Sequence, residues 1–298
     1  MTTTAADPTE ASGHPPTWFA EAVQARVETG TLEFAGADIA YRRWDGPGEQ
    51  GVLLVHGGAA NARWWDVVAP RLGRGPVVAI DLSGHGDSDW RSNYSPNLWV
   101  GEVIAACKAL LPPRPVLIGH SMGGLVCLRA AADAGELLGG VVVIDSPLDF
   151  EWESPEERSA LARPSRIESS RSAMESRWRP ILDSGAIPPF LLRHVGRHSI
   201  AAVPGGYRWK FDPRFSQAGR IERAVPPDPG CRLAYVLPES GLATRKMVER
   251  ARSQPGGAAL TVVPMGGAGH NPMLEDPVAL ADLLAGVLDG LSGKDPGA

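Results

Sequence analysis

The chain has 298 residues, of which 43% are hydrophobic and 21% are charged, a balance typical of a soluble globular protein built as one large domain or one domain with an insertion. The net charge of −5 gives no basis for a nucleic-acid partner, and no apolar run approaches the roughly 20 residues that span a membrane. Three scattered cysteines without a Cys-x-x-Cys pair predict free thiols and a cytoplasmic location.

Strands and helices alternate along most of the chain. A hairpin is predicted over Thr31–Phe34 and Ile39–Arg43. Continuous apolar runs predict buried strands at Val52–Val55, Val77–Ile80, Pro115–Ile118, Val141–Ile144, Leu233–Leu237 and Leu260–Val263. Helices are predicted between them at Asn61–Leu72, Asn97–Leu111, Gly124–Ala132, Ala243–Arg252 and Pro277–Leu291. This order favours an α/β protein with one doubly wound, mostly parallel sheet.

The alternation is interrupted once, after the sixth strand. Residues 146–229 hold no buried-strand run and are rich in Arg, Glu, Ser and Pro, so we predict a helical lid inserted into a core of residues 18–145 and 230–292. Residues 1–17 lack the basic start and apolar stretch of a secretory signal and are predicted to be a disordered leader. Large aromatic side chains of the insertion are expected to line an apolar substrate pocket: Trp152, Trp178, Phe190, Trp209, Phe211 and Phe215.

The segment Gly119–Gly123 reads Gly-His-Ser-Met-Gly and lies between a buried strand and a small-residue helix. A Gly-x-Ser-x-Gly in this context makes a tight strand-to-helix turn with the serine at its apex. The glycines are needed because strand and helix backbones come close together. We predict that Ser121 is a nucleophile; the alternative is a turn without chemistry.

A nucleophilic hydroxyl needs a base, and His270 is the best placed of the seven histidines. It lies in the glycine-rich loop 266–272, after the last strand. Loops that follow the carboxyl ends of parallel strands converge at one edge of the sheet, so His270 is expected to meet Ser121 there. His120 is adjacent to Ser121, but its side chain is expected to point elsewhere. His194 and His198 have helical spacing but no third ligand, so no metal site is predicted.

A developing oxyanion needs two backbone N–H donors. One is expected from Met122, which directly follows the serine. The second is expected from Gly58, with Gly57 as the alternative, in the loop after the Val52–Val55 strand. The alternative for this loop is a simple strand-to-helix turn.

Four motifs in this order resemble the α/β-hydrolase superfamily of lipases and esterases. They are His56-Gly57-Gly58, Asp81-Leu82-Ser83-Gly84-His85-Gly86-Asp87-Ser88, Gly119-His120-Ser121-Met122-Gly123-Gly124 and Gly269-His270-Asn271-Pro272. The resemblance covers roughly residues 30–145 and 230–290 and implies a catalytic triad and an oxyanion hole. It also implies a lid between the sixth and seventh strands, where the insertion falls.

The third triad member departs from the family's pattern. Family members commonly carry an Asp in the loop after the seventh strand, where this chain has Ser240 or Gly241. Asp145 closes the sixth strand, the place from which haloalkane dehalogenases take their acid, and is our first choice. Glu239 lies in the usual loop and is the alternative, since its longer side chain could reach His270. A dyad without an acid is a further alternative.

The residue types favour hydrolysis of a small to medium ester, lactone or related carbonyl substrate through an acyl-enzyme, without a metal or organic cofactor. Ser121 argues against haloalkane dehalogenases and epoxide hydrolases of this fold, which use an Asp nucleophile. Two alternatives remain from the sequence: a cofactor-free lyase of the same fold, in which serine and histidine act as acid and base, and a degenerate member that only binds a ligand.

Overall fold

The computed structural model describes residues 15–73, 75–148, 166–219, 225–226 and 228–291. Nearly all of the predicted leader, and Trp152 of the predicted lid, lie outside these residues. The strands are β1 (Glu28–Phe34), β2 (Ala37–Trp44), β3 (Val52–Val55), β4 (Val77–Ile80), β5 (Val116–His120), β6 (Gly140–Ile144), β7 (Ile200–Val203), β8 (Gly206–Trp209), β9 (Leu233–Ser240) and β10 (Leu260–Gly269). The α-helices are α1 (Thr17–Gln24), α2 (Pro96–Leu110), α3 (Met122–Ala134), α4 (Arg171–Arg177), α5 (Pro189–His198), α6 (Arg245–Arg252), α7 (Pro272–Glu275) and α8 (Pro277–Leu291).

Eight of these strands form one sheet in the order β1-β2-β4-β3-β5-β6-β9-β10. The hairpin β1-β2 adds to β4 in antiparallel fashion, and all the remaining pairs are parallel. The predicted doubly wound, mostly parallel sheet is confirmed. Strands β3, β5, β6 and β9 are neighbours at its centre, so the loops that follow them lie side by side at one edge.

The apolar runs are continuous because the central strands are buried on both faces. Along β3, Leu53 and Val55 pack with α2 and α3 in one core cluster, while Val52 and Leu54 pack with α8 in another. All four side chains are almost completely shielded from solvent. A rigid sheet with a core on each side is the platform on which the loops at the carboxyl edge are held.

The prediction of an α-helix over Asn61–Leu72 is wrong. The structure has two short 3₁₀ turns instead, Ala62–Trp65 and Ala69–Arg71. The hydrogen bonds close over three residues, as from the N–H of Trp64 to the carbonyl of Asn61. Pro70 lacks the N–H that an α-helix would need there, and its ring disfavours a helical residue before it.

The insertion was predicted over residues 146–229, and its described part over 166–219 is not purely helical. It contains α4 and α5, but also the two-stranded sheet β7-β8. The side chains of β8 are half-buried throughout. That strand has neither the continuous apolar run of a buried strand nor the alternation of an amphipathic one, so no sequence pattern predicted it.

Candidate active site

Ser121 lies at the apex of a strained turn between β5 and α3. Its φ of 51° and ψ of −119° are rare for a residue with a side chain. The turn needs glycine on the strand side, because a Cβ on Gly119 would lie 2.5 Å from the carbonyl oxygen of Gly123. The Ser121 N–H donates to the carbonyl of Ile144 (2.9 Å), and its own carbonyl accepts from the Ser146 hydroxyl (2.7 Å). The serine turn is therefore held by hydrogen bonds to Ile144 and Ser146, the two residues that flank Asp145.

Asp145 is fully buried at the end of β6, with a φ of 43°. Its carboxylate accepts three hydrogen bonds, from the Nδ1–H of His270 (2.6 Å) and from the backbone N–H groups of Leu242 (2.7 Å) and Ala243 (2.9 Å). The two backbone donors hold the carboxylate on the loop after β9. The structure thus brings together Asp145 and His270, which are 125 positions apart in the sequence.

Glu239 does not contact His270. Its carboxylate accepts from the N–H of Gly267 (2.8 Å) and its side chain is exposed. Residues 266–269, predicted as a loop, are the irregular end of β10, and Glu239 contacts that end from outside. Gly241 stands where the family's usual Asp is expected. A Cβ on Gly241 would overlap the carboxylate of Asp145. The Asp145 carboxylate, at the end of β6, therefore fills the space for an acid beside His270. At this point of the loop after β9 the residue is Gly241, which has no side chain.

The loop after β3 is held by His56. The carbonyl of Gly57 accepts the Nδ1–H of His56 (2.7 Å), and Nε2 of His56 accepts the N–H of Leu82 (3.0 Å). Burial lowers the pKa of His56 to about 4, so this ring is neutral and uses both nitrogens. Among the described residues, no protein acceptor pairs with the N–H of Gly58 or of Met122.

The polar loop that follows β4 is hydrogen-bonded to the loop after β3. The buried carboxylate of Asp81 accepts from the N–H groups of Ala62 (2.6 Å) and Asp87 (2.8 Å). Burial raises its pKa to about 6 despite these donors. The Ser88 hydroxyl donates to the Asp81 carbonyl (2.5 Å) and accepts from the N–H of Ala40 (2.7 Å), which ties this loop to β2.

His120 is buried beside His270, and its side chain points to the backbone of that residue. Its Nε2–H donates to the backbone carbonyl of His270 (2.7 Å), and the ring centroids are 4.8 Å apart. Burial holds the pKa of His120 well below its ordinary value. The motif itself is the only signal for this contact: a histidine directly before the serine lies at the end of β5, which faces the same sheet edge as the His270 loop.

The inserted segment reaches the site at several points. The 3₁₀ turn Pro213–Gln217 places the ring of Phe215 against the loop after β3, 3.2 Å from where a Cβ on Gly58 would lie, and Met122 is next to the same position. The side chain of Asn271 donates to the carbonyl of Leu182 (3.1 Å). The inserted segment therefore contacts both the residue that follows His270 and the loop predicted to bind an oxyanion.

Polar side chains anchor this segment to the core. His194 on α5 contacts the carboxylate of Asp66 (2.9 Å), which also accepts from Arg42 (2.9 Å). The Asn61 amide donates to the Ser199 hydroxyl (3.0 Å). His194 and His198 thus have protein partners, and the described residues hold no group of three or more side chains suited to a metal.

Cys107 and Cys127 are buried in α2 and α3. Burial raises the pKa of Cys107 to about 12 and that of Cys127 well above its ordinary value, so both thiols stay protonated. None of the helices in the described ranges combines the length and apolarity required to cross a bilayer.

A profile of the alpha/beta hydrolase family matches residues 52–283, far more than half of the chain. This protein belongs to the alpha/beta hydrolase family. The mostly parallel eight-stranded sheet is the sheet of that family's fold.

Two relatives from Mycobacterium tuberculosis are similar in sequence. Esterase Rv0045c is 42% identical over 113 residues, which are 37% of this chain and 37% of that esterase. Lipase LipV is 27% identical over 180 residues, 58% of this chain and 67% of the lipase. The solved structure of esterase Rv0045c superposes with a TM-score of 0.74 at 26% identity, covering 93% of this chain and all of that one.

Proposed function

We propose that this chain is an ester hydrolase that works through a serine acyl-enzyme. The observation that carries this proposal is the buried Asp145–His270 pair beside the strained turn of Ser121. The carboxylate fixes one tautomer of His270, with the proton on Nδ1, and leaves Nε2 free to accept a proton. The names of the relatives, an esterase and a lipase, support the same reaction class.

In the first half-reaction Ser121 Oγ attacks the ester carbonyl while His270 Nε2 takes its proton. The oxyanion accepts hydrogen bonds from the N–H groups of Gly58 and Met122. Collapse expels the alcohol, which receives the proton from His270 and leaves Ser121 acylated. Water, deprotonated by His270, then attacks the acyl carbon and releases the carboxylic acid. Asp145 stabilises the imidazolium in both halves.

The substrate class is a small to medium ester or lactone. Phe215 and Met122 make apolar walls beside the predicted oxyanion loop, and the inserted segment acts as the lid that bears one of them. An apolar wall with a few convergent polar groups suits an uncharged acyl chain better than a highly charged substrate.

The test is labelling with a fluorophosphonate, read by intact mass, combined with hydrolysis of p-nitrophenyl acetate. Wild-type protein should gain one phosphonyl group and hydrolyse the ester, and Ser121→Ala should do neither. The Ser253→Ala variant, which removes an exposed hydroxyl that donates to the carbonyl of Arg250, is the matched control and should still be labelled. Folded wild-type protein that is neither labelled nor active on esters would refute the proposal in favour of a lyase or a ligand-binding protein.

A further inference from the structure

His120 connects three loops of the site through one side chain. It belongs to the serine turn, and its Nε2–H donates to the carbonyl of His270 (2.7 Å). Its other nitrogen faces the loop after β3: a Cβ on Gly57 would lie 2.9 Å from His120 Nδ1 and 3.2 Å from Ser121 Cβ. The glycine at position 57 is therefore needed to make room for this ring.

The proton of His120 has one location. A carbonyl oxygen can only accept, so Nε2 carries the hydrogen, and the fully buried ring is neutral. Nδ1 is then a bare acceptor, and it has no hydrogen-bond partner among the described residues. The hydrogen bond to the His270 carbonyl is the specific polar contact that this ring makes among the described residues.

The contact continues into the inserted segment. Trp64 stacks on His120 with a centroid distance of 6.2 Å, and Trp178, which follows α4, meets Trp64 edge-on at 5.8 Å. Trp64 and Trp178 are both buried. The ring of His120 is thus fixed on one side by packing and on the other by its hydrogen bond to the His270 backbone.

We propose that His120 is a positioning residue, which holds the His270 backbone so that the imidazole stays in line with Ser121. The proposal rests on the proposed function, because it assigns His270 the role of base. The hydrogen bond acts on the backbone of His270, whereas Asp145 acts on its ring. Together they fix both ends of the residue. A base displaced by about 1 Å can lose a hundredfold in rate, which is the scale of effect at issue.

The experiment compares three substitutions at one position. Gln places an amide N–H close to the location of Nε2, Met fills similar space without a donor, and Asn carries the same amide but is too short to reach. We expect His120→Gln to stay within about threefold of wild-type kcat, and His120→Met and His120→Asn to lose about ten- to a hundredfold with KM changed less than about threefold. The rate of Ser121 phosphonylation should fall in parallel, and thermal unfolding shows that each variant is folded.

Equal rates for the Gln, Met and Asn variants, whether all fast or all slow, would overturn the proposal. So would Met and Asn variants that fail to fold while the Gln variant folds, because the hydrogen bond would then serve stability alone. Failure of the proposed function is distinguishable: it leaves wild-type Ser121 unlabelled, whereas failure of the His120 assignment leaves wild-type labelling intact and the variants equal.

Discussion

Asp145→Asn is the substitution to which the site should be most sensitive. It replaces one of two acceptor oxygens by an NH₂ group in a place where three N–H donors converge. If the amide oxygen keeps its bonds to His270 and Leu242, the NH₂ faces the N–H of Ala243; if the amide is reversed, the NH₂ faces the other two. One buried bond at least is lost, at about 1–3 kcal/mol of stability.

The catalytic loss should be much larger than the loss of stability. The neutral amide no longer stabilises the imidazolium of His270, and an NH₂ turned toward the ring imposes the wrong tautomer. Loss of the acid in this way costs about 10⁴ in kcat, or roughly 5 kcal/mol of transition-state stabilisation. The assay is p-nitrophenyl acetate hydrolysis for kcat and KM, with thermal melts to show that the variant is folded. Glu239→Gln is the control and should change kcat less than about threefold, because its side chain is exposed. A folded Asp145→Asn enzyme within about tenfold of wild type would refute the assignment.

Three further predictions address the surroundings of this pair. Gly241→Ala should displace the Asp145 carboxylate and lower kcat at least about tenfold, whereas Gly266→Ala, whose Cβ would meet nothing closer than 3.9 Å, should leave kcat unchanged; equal activities would contradict the steric argument. Burial holds the pKa of His85 well below its ordinary value, so the unfolded chain takes up the proton first as the pH falls. The stability that His85 contributes should therefore be fully present above about pH 6.5 and decline below it by up to about 1.4 kcal/mol per pH unit. His56 and His120 add declines of the same sign. His85→Phe should make the total decline less steep in urea melts between pH 7 and 5, and an unchanged slope would count against it. Phe215→Ala should open the wall beside the oxyanion loop and raise kcat/KM for octanoate over acetate esters by about tenfold; an unaltered ratio would remove Phe215 from the acyl pocket.

The centre of the sheet could be predicted because its strands are buried on both faces. Runs such as Val77–Ile80 leave no polar position, and their length separates them from helices. The segment Asn61–Leu72 misled for the opposite reason. Its apolar residues, among them Trp65 and Val68, recur near helical spacing and are buried. 3₁₀ turns that pack against a sheet show the same pattern. Pro70 is unfavourable in the interior of an α-helix and is the residue that argues against one here.

The candidate residues Ser121 and His270 could be placed from sequence, because each belongs to a loop whose position follows from the parallel sheet. For the partner of His270 the sequence left three alternatives: Asp145, Glu239, or a dyad without an acid. Choosing between Asp145 and Glu239 requires the backbone direction after each strand, which no local pattern encodes. Ser240 or Gly241 stands where the family commonly has its Asp, and in the structure the Asp145 carboxylate lies where a Cβ on Gly241 would be. His120 was missed because its contact is to a backbone carbonyl, which leaves no trace in the identity of its partner.

The space beside His270 that holds an acid lies next to the ends of two neighbouring strands, β6 and β9. A last prediction follows from this arrangement. β6 and β9 are paired, and the N–H of Asp145 donates to the carbonyl of Val236 (3.2 Å) in β9. A glycine at position 145 suits its φ of 43° and empties the space, and an Asp at position 241 can then project into it. Asp145→Gly alone should be nearly inactive. The double variant Asp145→Gly/Gly241→Asp should have a kcat about ten- to a hundredfold higher than Asp145→Gly, out of the roughly 10⁴-fold lost with the acid. A folded double variant no faster than Asp145→Gly would mean that His270 needs the carboxylate at the end of β6 and not simply a carboxylate in that space.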